Sequence, residues 1–88
     1  MQLYGRFLPK SIKTEDFFYN IRMLIAKRIR ELRTDRNISR ENLSKEIGVS
    51  VRTLSYWENQ INEPKAGYIF KLAKFFGVSA DYLLGLED

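Results

Sequence analysis

The sequence predicts an all-α fold: a compact domain of five helices preceded by an N-terminal arm or helix extension. Three observations predict it. Apolar residues recur three and four positions apart, the spacing that gathers them on one helix face. Serines at Ser39, Ser50 and Ser79 stand where helices begin, and glycines at Gly48, Gly77 and Gly85 stand where they end. The length, 88 residues, is that of one domain.

Residues 1–22 differ from the rest. Gly5, Pro9 and the polar stretch Lys10–Thr14 predict an irregular arm. Thr14-Glu15-Asp16 then reads as a helix start, with Phe17, Phe18 and Ile21 extending the first helix backwards. Leu3, Tyr4, Phe7 and Leu8 add large apolar groups, so the arm is expected to form a dimerisation element or to pack on its own domain. Residues 23–88 are read as the domain proper.

The first helix is expected over Ile25–Arg36, with Ile25, Ile29 and Leu32 inward and Asn37 as a left-handed stop. Ser39 caps a second helix carrying Leu43 and Ile47 inward, ended by Gly48. Ser50 caps a third over Val51–Glu58. A polar loop follows, Asn59–Glu63, and Pro64 marks the next start. The fourth helix, about Lys65–Phe76, buries Ile69, Leu72, Ala73 and Phe76 and stops at Gly77. Ser79 caps a short fifth helix with Tyr82, Leu83 and Leu84, closed by Gly85.

Composition excludes several functions. The chain has no cysteine, hence no disulfide framework and no thiolate zinc site, and no histidine, hence no His-based nucleophile pair. No enzyme activity and no cofactor are expected. No apolar run approaches a membrane span, and Arg6, Lys10 and Lys13 break up any signal-peptide core, so a cytoplasmic protein is expected. The net charge of +4 suits a polyanion. Residues 1–22 hold Arg6, Lys10, Lys13 and Arg22 against Glu15 and Asp16, which is +2 of that total.

The third helix divides its chemistry by face. Advancing about 100° per residue from Val51 places Ser55, Arg52 and Tyr56 in the arc from 0° to about 140°, and Trp57 and Leu54 at about 240° and 300°. Leu54 and Trp57 therefore point to a core, and Trp57 is not read as a stacking platform for single strands. The outward face Val51, Arg52, Ser55 and Tyr56 suits base edges: a guanidinium can donate twice to guanine, and a valine methyl can meet the thymine methyl. Two short capped helices joined by Gly48-Val49-Ser50 make the setting of a helix-turn-helix.

The strings Arg28-Ile29-Arg30-Glu31-Leu32-Arg33, Asn42–Ser50, Leu54–Asn59, Pro64, Leu72–Ser79 and Leu83-Leu84-Gly85, in this order, resemble the helix-turn-helix family of lambdoid phage repressors and xenobiotic-response-element (Cro/C1-type) regulators. The resemblance covers Ile25–Gly85 and implies a lambda-repressor-like five-helix domain. It implies base reading by Val51, Arg52 and Tyr56, with Ser55 near a base or the backbone. Asn59 matches a phosphate-contacting asparagine of the family; Arg40, a departure from it, is expected to grip phosphate, and Ser50 and Lys65 are expected to add phosphate contacts. The family often has glutamine where Arg40 stands, alanine where Ser44 stands, and glycine where Gln60 stands. The last departure is expected to strain or alter the turn. Arg33 and Glu58 match a family ion pair, and Glu58 falls at the edge of the buried face, where a carboxylate needs a bidentate partner.

The function expected is sequence-specific binding of double-stranded DNA by a transcriptional regulator, a repressor acting as a homodimer on a two-fold operator. The alternatives are the antitoxin of a toxin–antitoxin pair, with a toxin or another protein antagonist as partner, and a helical interaction module that no longer binds DNA. The chain ends three residues after Gly85, so dimerisation is expected from the domain or the arm unless the chain is a fragment. Phe70, Phe75 and Phe76 are expected in the core or in dimer contacts.

Overall fold

A computed structural model describes residues 14–87, with side-chain surroundings from Ile21 onward. The arm up to residue 13, and the roles expected of it, lie outside the described residues. The described part contains α1 (Thr14–Asp35), α2 (Arg40–Ile47), α3 (Val51–Glu58), α4 (Ala66–Phe76) and α5 (Ala80–Leu83). α1 runs unbroken through residues 22 and 23 and reaches back to Thr14, the start that Thr14-Glu15-Asp16 predicts. No described helix is long and apolar enough to cross a membrane.

Three of the helices begin alike. The hydroxyl oxygens of Ser39, Ser50 and Ser79 accept the backbone N–H three residues on, from Asn42, Thr53 and Tyr82, at 3.0–3.1 Å. Each bond satisfies one of the amides that a helix start leaves without a partner. α4 starts differently: Pro64 stands outside it, Lys65 is the cap residue, and no side chain accepts an amide there. The expected start at Lys65 is therefore one residue early.

The helices also end alike. Each closes on a residue with positive φ: Asn37 at 55°, Gly48 at 84°, Gln60 at 64°, Gly77 at 70° and Gly85 at 80°. The following N–H bonds back five residues, from Ile38 to Arg33, Val49 to Ser44, Ile61 to Tyr56, Val78 to Ala73 and Leu86 to Asp81, at 2.8–3.0 Å. This closure turns the chain sharply and satisfies a terminal carbonyl. Gln60 thus holds the left-handed place that glycine holds after α2, α4 and α5.

The core sits where the five helices meet. It is built from Ile25 and Ile29 of α1, Leu43 and Ile47 of α2, Leu54 and Trp57 of α3, Ile69, Leu72 and Phe76 of α4, and Leu83 of α5. α3 packs on α1 and α2, while α5 packs on α1 and α4. Ser44 is buried and its hydroxyl donates to the Glu41 carbonyl at 2.9 Å, so it occupies a small-residue position without an orphan polar atom. Phe76 is buried, whereas Phe70 and Phe75 are exposed.

Candidate nucleic-acid interface

Leu54 and Trp57 anchor α3 to the core, with 0 % and 4 % of their surface exposed. Trp57 meets the Tyr68 ring of α4 at 5.5 Å between centroids. This anchoring turns the opposite side of α3 to solvent. Val51, Arg52 and Tyr56 are exposed there, and Ser55 is half-buried. The division predicted from the helical period is the one observed. Two large apolar or aromatic groups, Val51 and Tyr56, are held in water beside a guanidinium on a helix only eight residues long.

Behind this face lies a buried anion. Glu58 closes α3 with 2 % exposure. Arg33 of α1 meets it through two parallel bonds, Nε to Oε2 at 2.7 Å and Nη2 to Oε1 at 2.9 Å. Arg40 of α2 donates Nε to Oε1 at 3.1 Å. Arg30 adds a more distant charge at 3.8 Å. Burial pushes the Glu58 carboxyl up, but the hydrogen bonds and charges of Arg33 and Arg40 outweigh it and hold the group below its ordinary value. One carboxylate thus ties α1, α2 and α3 together and fixes the angle at which α3 is presented.

The residues expected at phosphate divide into two kinds. Arg40 is engaged with Glu58, and 38 % of its side chain remains exposed. Ser50 uses its hydroxyl on the α3 cap and shares a 2.9 Å bond with Thr53 Oγ1. Asn59 lies just past α3, where its Nδ2 donates to Ser55 Oγ at 3.1 Å. Lys65 is exposed at the start of α4.

Sequence reasoning missed Arg30. Its Nη2 donates to the Glu58 carbonyl at 2.8 Å and to Asn59 Oδ1 at 3.3 Å. The available signal was its spacing: Arg30 and Arg33 are three residues apart and share a face of α1. The partner is 28 residues away, beyond the reach of any local pattern.

The HTH_3 helix-turn-helix family model matches residues 29–83. The HTH-type transcriptional regulator YobD of Bacillus subtilis is 31 % identical over 65 residues, covering 74 % of this chain and 58 % of YobD. The cryptic phage CTXphi transcriptional repressor RstR of Vibrio cholerae is 36 % identical over 55 residues, covering 62 % of this chain and 50 % of RstR. The chain therefore spans about half the length of these relatives. Among solved structures, the P22 c2 repressor in complex with a synthetic operator is similar with a TM-score of 0.67 and 35 % identity, covering 72 % of this chain and 96 % of that one.

Proposed function

The chain belongs to the helix-turn-helix family, and on that footing we propose that it binds double-stranded DNA through α3 and regulates transcription. The outward face of α3 carries the reading: Val51, Arg52, Ser55 and Tyr56 are presented together by a helix whose other side is locked in the core. A major groove about 12 Å wide admits such a helix, and these side chains match its donors, acceptors and methyl groups. The similarity to a repressor solved on its operator supports the same placement.

Ser50, Arg40, Asn59 and Lys65 flank α3 and would set its register by contacts to phosphate and sugar. One eight-residue helix reads few base pairs, so the protein acts as a homodimer on a two-fold operator, as a repressor. The test is fluorescence anisotropy with duplexes selected from random DNA. Arg52→Ala should lose about 1–3 kcal/mol of discrimination at one base position. Binding indifferent to both that substitution and salt would remove the proposal.

A further inference from the structure

Arg30, Asn59 and Ser55 form a chain of hydrogen bonds in which each member dictates the polarity of the next. A guanidinium carries donors only. The Arg30 Nη2 group faces the Glu58 carbonyl and Asn59 Oδ1. An amide that turns its oxygen to a donor turns its nitrogen the other way, and Asn59 Nδ2 accordingly donates to Ser55 Oγ at 3.1 Å. The Ser55 oxygen is then an acceptor, and its own proton is left for another group. No side-chain hydrogen bond among the described residues takes that proton.

Resting on the reading that α3 faces DNA, we infer that Arg30, acting through Asn59, presents Ser55 to DNA as a hydrogen-bond donor. The matching chemistry is an acceptor: purine N7, guanine O6 or thymine O4 in the major groove, or a phosphate oxygen. A cytosine amino group, itself a donor, could use only the second lone pair of Ser55 and would leave its proton unmet, so it is disfavoured. Arg30 and Asn59 are thus positioning residues. A serine alone could rotate its hydroxyl to suit either partner; here the choice is made on α1, at Arg30.

The test uses six proteins of this sequence: wild type, Ser55→Ala, Asn59→Asp, their double variant, Arg30→Met and Arg30→Lys. Asn59→Asp keeps an oxygen toward Arg30 but replaces the Nδ2 donor with an acceptor. The Ser55 proton then turns inward and a lone pair faces DNA. Each protein is measured against single-base variants of an operator selected by the wild type, with thermal unfolding alongside. If the wild type selects no sequence, the DNA reading fails and not the relay.

The relay predicts that Asn59→Asp and Ser55→Ala each lose about fivefold discrimination, the worth of one hydrogen bond, at the same base position. Where the acceptor is a phosphate, both instead weaken all sequences alike. The added negative charge acts in either background, so the double-mutant comparison removes it. With Ser55 already absent, Asn59→Asp should retain only an effect common to all sequences, from the added charge and the loss of its own backbone contact. Independent effects of the two substitutions would overturn the proposal. Arg30→Met should lose the same discrimination and Arg30→Lys should restore it. A fall in melting temperature in Arg30→Met with both base preference and overall DNA affinity unchanged would overturn the role of Arg30.

Discussion

Two residues at the end of α3 bear oppositely on stability. Gln60 adopts φ of 64°, a region that costs an L-residue about 1–2 kcal/mol and glycine almost nothing. The closure around it matches that around Gly48 and Gly77, so glycine fits without rearrangement. Gln60→Gly should therefore stabilise the protein by about 0.5–1 kcal/mol, after glycine's greater loss of chain entropy, and raise the melting temperature by several degrees. Glu58 is the opposite case. Its neutralisation in Glu58→Gln would leave Arg33, only 12 % exposed, with no anion. The expected loss is about 3–5 kcal/mol, read by urea unfolding near neutral pH. Because the folded carboxyl lies below its ordinary value of 4.5, the unfolded chain takes up protons first as pH falls. The stabilisation is fully present above that value and is lost as pH drops through the folded one. The wild-type and Glu58→Gln stabilities should converge in that acid range.

At the scale of the elements, the local signals are the readable ones. Serine caps and glycine closures act over three to five residues, so α2, α3 and the stop of α4 can be placed from sequence. The buried and outward sides of α3 follow from the helical period alone. What needs the fold is contact between distant segments. In sequence Arg40 is free for phosphate, because its bond to Glu58 spans 18 residues, and Arg30 reads as surface filler for the same reason. The start of α4 shifts by one residue because Pro64 marks a beginning without showing whether the next residue caps it. That start is also poorly built for stability. Lys65 offers no acceptor to the free amides and sets a positive charge at the positive end of the helix. Gly67 lies in the first turn with open space where a Cβ would go. Lys65→Asp should raise stability by about 1 kcal/mol and Gly67→Ala by about 0.4–1 kcal/mol. If Lys65 meets phosphate as proposed, Lys65→Asp should weaken DNA binding while it raises the melting temperature. A gain in both would remove Lys65 from the interface.

For the molecule as a whole, the net charge of +4 does not say where the cations are, and many of the arginines are committed to the domain's own contacts. Arg22 pairs with Glu63, and Arg28 lies over the Tyr82 ring at 4.0 Å while donating to the carbonyls of Tyr82 and Glu87. Arg36 donates to the Phe76 carbonyl, and Arg30, Arg33 and Arg40 surround Glu58. These arginines tie the domain's own segments together. Among the described residues, the cations proposed at DNA are Arg40, Arg52 and Lys65, and the contribution of each is countable. Removing one phosphate-binding cation should reduce the slope of log affinity against log salt by about 0.9. Lys65→Gln removes one such cation from each copy of the chain. On a selected operator, a monomer should show a slope change of about 0.9 and a homodimer about 1.8. Anisotropy titrations between low and moderate salt, with the stoichiometry measured independently by sedimentation, distinguish the two. A change near the monomer value on an operator carrying two copies would mean that only one Lys65 reaches phosphate, and the two-fold arrangement would fall.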